Sequence, residues 1–324
     1  MSQIWYTAQG YNGSFSGINR SSKTSVSCNI LDLCRTSITA GNPKDFIWND
    51  IKDYGLYRAF ASLVLENLLR VSAALCTNDK GDVCLHPIYN SYVSDRKRSI
   101  SYNLGMAIAK LFSERLLGIP DLIHVETLKR IKAIKFKKPG RSKEPDLVGC
   151  AKDGSWHIFE SKGSIKFFSD NAWANARKQV GAIATIHGQV PATRSVCVSR
   201  LGFDNIFTDI RDPEGSEEKE IVEVNKEKYY EYYYFPFTAL REYTNSELHK
   251  TQLYGSTYDS FDIQINNNNF TIGLDSEIFA LLQGKRYEQI AECFRNRRSA
   301  VDNDGEHVST GLDGFMIRDN RRQT

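Results

Sequence analysis

Three reactive side chains, Asp146, Glu160 and Lys162, fall within the short stretch Glu144–Ser164. Two carboxylates beside one lysine can hold a divalent metal ion and activate a water molecule against a phosphodiester. No other segment of the sequence offers a comparable set of reactive groups. The chemistry that this stretch suggests is therefore metal-dependent hydrolysis.

The stretch is typical of two β-strands joined by a tight turn at Asp153-Gly154. Side chains alternate between the two faces of a strand, so Glu160 and Lys162 point the same way. Asp146, on the preceding strand, joins them only in certain registers of the hairpin.

Two registers are open. A two-residue Asp153-Gly154 turn sets Asp146 opposite Ser161, on the wrong face. A three-residue loop, with Gly154 in the left-handed conformation, sets Asp146 opposite Glu160. We predict the three-residue loop, because glycine at the last loop position suits that bulged turn and a one-residue slip would dismantle the site.

At these residues the chain resembles the PD-(D/E)XK nuclease superfamily, the fold of many restriction enzymes and repair nucleases. Pro145-Asp146 corresponds to the PD, and Glu160-Ser161-Lys162 corresponds to the (D/E)XK. The resemblance covers residues 100 to 200 or so, where the expected order is helix, strands, hairpin, helix, strand. The alternative interpretation is a solvent-facing hairpin with an ordinary surface ion pair.

The resemblance implies a role for each residue of the motif. Asp146 and Glu160 would give carboxylate oxygens to Mg²⁺ or Mn²⁺, and the Ser161 backbone carbonyl would be a further ligand. The Ser161 side chain should face away from the site. Lys162 would orient or deprotonate the attacking water and offset the charge that grows on the phosphate.

A fourth catalytic group in this family often comes from an acid on the preceding helix. The segment Asn103–Gly118 has the apolar stripe of an amphipathic helix, and Glu114 lies at the edge of that stripe. We therefore expect Glu114 to complete the site, although a solvated flank residue fits the same position. Glu126 is the second candidate.

Gln179 is a candidate phosphate or active-site contact on the helix that should follow the motif. Ser169-Asp170 is expected to cap this helix, which should end at Gly188. The exonuclease branch of the superfamily often carries Gln-x-x-x-Tyr here, but Ile183 takes the tyrosine position. An exposed helix residue is the alternative for Gln179.

A basic run precedes the motif. Between Lys129 and Lys143 lie eight lysines and arginines and no acid. Such a run attracts phosphate backbones whatever the base sequence, although a solvated charged face has the same composition. We expect nucleic-acid contacts from five of its members: Lys135, Lys137, Lys138, Arg141 and Lys143.

Composition sets outer limits. The chain has 324 residues, 41% of them hydrophobic, a net charge of +3 and a pI near 8.3, so a local patch must do any nucleic-acid binding. Seven cysteines, an odd number, argue against a disulfide framework and for a reducing cytosol. No secretory signal and no apolar run of spanning length is visible, so a cytoplasmic protein without membrane contact is expected.

The fold class expected is α/β, a central mixed sheet flanked by helices, with a restriction-endonuclease-like core and elaborations at both ends. Residues 1–99 form an N-terminal helical and loop region packed on the core, 100–201 the nuclease core, and 202–324 a C-terminal α/β extension. Within that extension, the Tyr-rich run Lys228–Phe237 reads as aromatics at strand spacing that fill a core and its rim.

The function expected is a Mg²⁺-dependent endonuclease of restriction or defence type, acting on DNA rather than RNA. Many relatives pair to cut both strands, so the resemblance leaves a homodimer open, although the residues do not reveal the number of subunits. No Walker loop is present, so any ATP-driven motor would be a separate subunit. The alternatives are a catalytically silent nucleic-acid-binding module on the same fold and a protein-interaction subunit.

Overall fold

The computed structural model describes residues 2–40, 66–136, 144–213, 220–244, 247–265, 268–296 and 307–320. Its α-helices are α1 Ile30–Thr39, α2 Glu66–Ala74, α3 Ser94–Leu117, α4 Val125–Arg130, α5 Asp170–Val180, α6 Lys226–Tyr233, α7 Phe235–Thr244, α8 Ser276–Gln283 and α9 Ile290–Asn296. Three short 3₁₀ helices lie at Gly13–Ile18, Pro87–Ser91 and Tyr287–Gln289.

The strands, in chain order, are β1 Gln3–Gln9, β2 Arg20–Ser27, β3 Leu75–Thr77, β4 Val83–Leu85, β5 Ile123–His124, β6 Ile134–Phe136, β7 Leu147–Cys150, β8 Trp156–Ser164, β9 Ile183–Ile186, β10 Thr193–Leu201, β11 Ile206–Arg211, β12 Glu220–Val224, β13 His249–Leu253, β14 Ser256–Ile265, β15 Asn268–Asp275, β16 Val308–Thr310 and β17 Phe315–Asp319.

The centre of the molecule is a seven-stranded sheet in the order β2-β1-β11-β10-β8-β7-β5. It is mixed: β1 with β11 and β8 with β10 run parallel, and the remaining neighbours run antiparallel. Helices flank this sheet, so the predicted α/β class is confirmed. Along the chain, α3 is followed by β5, β7, β8, α5 and β10, which is the predicted order of helix, strands, hairpin, helix and strand.

Helix α3 packs directly on β8 because two glycines let the backbones touch. A Cβ atom built on Gly105 of α3 would lie 2.7 Å from the Gly163 nitrogen and 3.1 Å from Ser161 Oγ. The helix therefore covers the sheet face to which Ser161 points. Glu160 and Lys162, which alternate with Ser161 along β8, point to the other face.

The helix predicted to run to Gly188 is shorter. Helix α5 ends at Val180, Gly181 follows as its C-cap, and Ile183–Ile186 forms β9. Strand β9 joins a second, three-stranded sheet in the order β6-β12-β9. Ile183, expected on a helical stripe, is instead a buried strand residue.

The C-terminal part of the chain forms a five-stranded sheet in the order β13-β14-β15-β17-β16. Phe237 of α7 packs against Phe261, Phe279 and Phe315 on one side of it. The Tyr-rich run Lys228–Phe237 forms helix α6 and the start of helix α7 rather than a strand. The prediction that its aromatic rings fill a core is confirmed, because Tyr229, Tyr230, Tyr232, Tyr233 and Tyr234 are all buried.

A buried ion cluster joins distant parts of the chain. Arg35 of α1 forms a bidentate pair with Glu114 of α3, at 2.7 and 3.0 Å, and lies 3.6 Å from Asp313. Lys110 contacts the same two acids at 2.8 and 3.6 Å. These four side chains, Arg35, Lys110, Glu114 and Asp313, have two charges of each sign, so the cluster compensates its own charge away from water.

Within the described residues no helix is both long enough and apolar enough to cross a membrane.

Candidate active site

The hairpin of β7 and β8 adopts the predicted three-residue loop. Leu147 pairs with Phe159, and the pairing continues to the loop, where the Ala151 nitrogen donates to the Ser155 carbonyl at 2.8 Å. Gly154 has a φ of +85°, the left-handed conformation that the loop requires. The register therefore brings Asp146 opposite Glu160, and this prediction is confirmed.

The two carboxylates and the amine meet at the open end of this hairpin. The Asp146 backbone nitrogen donates to Glu160 Oε2 at 3.1 Å, and the Ser161 nitrogen donates to Asp146 Oδ2 at 3.0 Å. Lys162 Nζ donates to Glu160 Oε1 and lies 3.7 Å from Asp146 Oδ2. Each carboxylate thus binds the backbone of the strand opposite its own, which fixes both side chains on the side that Lys162 occupies.

Exposure differs among the three side chains in a useful way. The Glu160 side chain is fully buried, whereas that of Asp146 is 15% exposed and that of Lys162 is 32% exposed. Glu160 therefore forms the floor of the cluster. Asp146 and Lys162 stand where a ligand arriving from solvent can reach them.

The charges of the cluster perturb one another. Burial, together with the Asp146 carboxylate, raises the pKa of Glu160 to about 8, against the opposing effect of Lys162. Burial lowers the pKa of Lys162, but the charges of Asp146 and Glu160 and its hydrogen bonds to them outweigh burial and raise it above its usual value. Lys162 is therefore protonated at neutral pH, and the Glu160 carboxyl also keeps its proton until the pH approaches 8.

His124 stands beside the cluster, and sequence reasoning missed it. Its Nε2 lies 3.0 Å from Tyr102 Oη, and its Nδ1 accepts from the Glu126 nitrogen at the start of α4. Burial lowers the pKa of His124; the charges of Asp146 and Glu126 raise it, and that of Lys162 lowers it. The one sequence feature that could have indicated His124 is its position two residues before Glu126, which was itself a candidate for the site.

The junction of β5 and α4 positions these groups, because the nitrogen of Val125, the first residue of α4, donates to the Asp146 carbonyl at 2.9 Å. Glu126 is exposed at the first turn of α4. It lies near enough to His124 to influence its pKa, as Asp146 also does. Glu114 and Glu126 were the two acids proposed as the fourth group of the site. Of these, Glu126 is the one that shares a neighbour, His124, with Asp146.

Glu114 is not part of this site, contrary to our expectation. Its side chain is 2% exposed and is held by Arg35 and Lys110 in the buried ion cluster. Burial raises the pKa of Glu114, but those two cations outweigh burial and lower it to about 2. Glu114 follows Gly105, the point where α3 touches β8, by nine residues, or about 13 Å along the helix. Its role is structural.

The remaining predicted nucleic-acid contacts are Gln179 and the members of the basic run. Gln179 lies near the site, where its Nε2 donates to the Glu144 carbonyl at 3.1 Å, just before the hairpin. Lys135 is exposed on β6, where Glu223 of β12 is its cross-strand neighbour, so its charge faces an acid. Lys137, Lys138, Arg141 and Lys143 lie outside the described residues, so their predicted contacts stay predictions.

Ser161 orients as expected, with its side chain away from Glu160. Its Oγ is buried on the α3 side and has no hydrogen-bond partner in the described part of the chain. Its backbone nitrogen serves Asp146. The Ser161 carbonyl as a metal ligand stays a prediction.

The donor set suits one kind of cation. In the ranges that the structure describes, no group of three or more His, Cys, Asp and Glu side chains is arranged to hold a metal ion. Two adjacent carboxylates remain, and Mg²⁺ is commonly bound through one or two carboxylates while it keeps several waters. A hard divalent cation here would also offset the burial and the Asp146 charge that together raise the pKa of Glu160. Asp146 and Glu160 therefore fit Mg²⁺ or Mn²⁺ better than a metal that needs a full cage of protein ligands.

Comparison with protein-family models, with curated proteins and with solved structures finds no match to this chain. The interpretation of the site therefore depends on its geometry and chemistry.

Proposed function

We propose that this protein is a Mg²⁺- or Mn²⁺-dependent nuclease of the PD-(D/E)XK type that hydrolyses phosphodiester bonds. The observation that carries the proposal is the convergence of Asp146, Glu160 and Lys162 on one side of the hairpin end, with the amine in reach of both carboxylates. A solvent-facing hairpin with a simple surface ion pair does not account for the full burial of the Glu160 carboxylate.

The order of elements supports the same proposal. Helix α3, strands β5, β7 and β8, helix α5 and strand β10 occur along the chain in the order that the resemblance requires, with α4, β6 and β9 inserted between them and with β8 and β10 parallel. Glu160 and Lys162 lie on β8, and Asp146 lies one residue before β7, so a rigid sheet positions them.

Each side chain then has a task. Asp146 and Glu160 hold the cation, and when bound, Mg²⁺ or Mn²⁺ supplies Lewis-acid activation of water and of a phosphoryl oxygen. Lys162 keeps its proton, because its two acidic neighbours raise its pKa, so it acts as a positive charge and hydrogen-bond donor to the phosphate rather than as a base. Gln179 fixes the chain leading into Asp146 through the Glu144 carbonyl.

The finer parts of the proposal come from the resemblance. DNA is the proposed substrate in preference to RNA, cut internally by an endonuclease of restriction or defence type in the cytoplasm. A homodimer is the proposed form for cutting both strands, and an ATP-driven motor, where one takes part, is a separate subunit.

Cleavage of supercoiled plasmid DNA with Mg²⁺, Mn²⁺ or chelator tests the proposal. We expect cutting with either cation, none with chelator, and a loss of about 100- to 1000-fold in Lys162→Met, the scale for removing one charge-stabilising donor. Asp146→Asn should abolish cutting. A wild type that binds DNA without cutting under any of these conditions would instead favour the silent binding module.

The same hairpin offers matched controls. Lys152 and Asp153 repeat the amine and the acid in its loop, about 17 Å along the strand from Glu160. Lys152→Met and Asp153→Asn should cut at wild-type rates. Equal losses in the loop variants and the site variants would mean that hairpin stability, rather than chemistry at Asp146 and Lys162, is being measured.

A further inference from the structure

Two cavities of about 450 and 560 Å³ adjoin at Trp173 of α5, on the central sheet. Their linings combine cations with aromatic rings. We name this surface the basic–aromatic groove and define it by Lys23, Lys166, Phe167, Trp173, Arg200 and Arg211.

The groove shares a sheet face with the candidate active site. Val198, which lines the smaller cavity, is the cross-strand partner of Lys162, and Val196, which lines the larger one, is the partner of Glu160. Paired residues on adjacent strands point to the same face, and their strands lie about 5 Å apart. The groove therefore begins one strand away from the proposed chemistry. The β8–α5 connection, which carries Lys166 and Phe167, starts just after Lys162.

The charge of the groove favours an anionic partner. Five cations line the two cavities against two acids, Asp209 and Asp212. Asp209 is occupied, since Arg211 binds it at 2.5 Å, and Asp212 accepts a hydrogen bond from the Arg194 backbone. The surface potential of the groove is thus positive next to a cluster that is itself rich in carboxylates.

The aromatic rings add a feature that a plain phosphate site does not need. Phe167 is 84% exposed, and the Arg200 guanidinium lies 4.7 Å from its ring centre. Arg211 lies 4.0 Å from the Trp173 ring on the same surface. Flat rings paired with guanidinium groups are the platforms on which unpaired bases stack, whereas the bases of a duplex are stacked on each other and out of reach.

We propose that the basic–aromatic groove binds a single-stranded polynucleotide segment and leads it to Lys162. This inference rests on the proposed nuclease function and specifies its substrate: the segment at the site is unpaired, with a base on Phe167 and phosphates on Lys166 and Arg200. Phe167 and the two cations contact bound substrate but do not take part in the reaction.

Fluorescence anisotropy of the full chain in chelator, where no cutting occurs, tests the groove alone. The probes are one labelled sequence of about 20 nucleotides as single-stranded DNA, as the matched RNA and as duplex DNA. We expect single strands to bind at least tenfold more tightly than the duplex. Phe167→Ala should weaken single-strand binding about tenfold, in line with the loss of one stacked base, and leave duplex binding unchanged. Lys166→Gln and Arg200→Gln should each reduce the salt dependence of log K by about 0.7.

Tyr254→Ala and Lys285→Gln are matched controls in the C-terminal region, since Tyr254 is 45% exposed and Lys285 is exposed. Both should bind as the wild type does. Preference for the duplex, or a Phe167→Ala affinity within twofold of the wild type while its melting temperature is unchanged, overturns the proposal. Equally tight binding of single-stranded RNA and single-stranded DNA supports the proposal, because the groove would recognise the unpaired strand that both share. Cutting of the plasmid or of the single-stranded probe with Mg²⁺, without any single-strand preference in binding, would refute the groove and leave the nuclease. Single-strand preference in binding, without cutting of either DNA, would refute the nuclease alone.

Discussion

Raising the pH of metal-free protein from about 6 to about 8 should destabilise it through Glu160. The pKa of this carboxyl is about 8 in the folded protein and 4.5 in its ordinary state. Between these values the folded chain holds a proton that the unfolded chain has released. Stability therefore falls with rising pH across this window, because the unfolded state binds fewer protons. Below about pH 4.5 the contribution of Glu160 is fully present, and above about pH 8 no more is lost.

The size of the effect follows from those two pKa values. One pKa unit corresponds to 1.36 kcal/mol, and integration of the proton uptake from about pH 6 to about pH 8 gives a loss of about 2 kcal/mol. Unfolding entropy near 2.1 cal/mol/K per residue converts this, for 324 residues, into a melting temperature lower by about 3 °C. Because Glu160 is buried against Asp146, solvent does not screen the repulsion away.

Calorimetric melts of the wild type and of Glu160→Gln in chelator, at several pH values, isolate this carboxyl. The variant cannot ionise at this position, so its melting temperature should rise relative to the wild type by about 3 °C between about pH 6 and about pH 8. Mg²⁺ should restore the wild type at about pH 8 and leave Glu160→Gln nearly unaffected, since a cation compensates the ionised carboxylate. Parallel curves for the two proteins would refute the assignment of a raised pKa to Glu160.

Three further predictions concern the scaffold. Glu114→Gln removes one acid from the buried ion cluster, so calorimetry should show a loss of about 4 kcal/mol and about 6 °C. Glu66→Gln, which removes an acid from the solvent-accessible pair of Glu66 with Arg70, should change stability by less than about 0.5 kcal/mol, and equal melting temperatures for the two variants would contradict this. Gly163→Ala places a methyl group against the Ser101 carbonyl, so denaturant melts should show a free energy of unfolding lower by about 3 kcal/mol. A soluble variant with wild-type stability would disprove the close approach of α3 to β8. Gln179→Ala should cost about 1 kcal/mol in the same melts and slow plasmid cutting a few-fold, while unchanged cutting would remove Gln179 from the site.

The sequence predicted the parts of the site that depend on local rules. The register of the hairpin followed from strand alternation and from the need for glycine at position 154, so the meeting of Asp146 with Glu160 was readable in advance. Strand β10 begins and ends where its apolar pattern does, at Thr193 and Leu201.

Non-local contacts defeated the other predictions. Glu114 lies at the flank of an amphipathic helix. The sequence of that helix does not predict the contact of Glu114 with Arg35, which lies 79 residues earlier on α1. The predicted helix after the motif is too long because Ile183 continues the apolar spacing of that helix. Only the pairing of β9 with β12 shows that Ile183 belongs to a strand. His124 was missed because its neighbours, Tyr102 of α3 and Asp146 before β7, come together only in the folded protein.

The buried ion cluster also constrains how the chain can be made. Arg35 and Lys110 emerge from a ribosome well before Asp313, one of the two acids that neutralise them. Until it arrives, the nascent protein carries two cations and a single acid in what will become a dry interior, at an uncompensated electrostatic cost. Final consolidation of the N-terminal region therefore awaits the synthesis of Asp313. The hairpin of the candidate active site packs on helix α3, which carries Lys110 and Glu114 of this cluster, so this site too reaches its final packing only after Asp313 has been added.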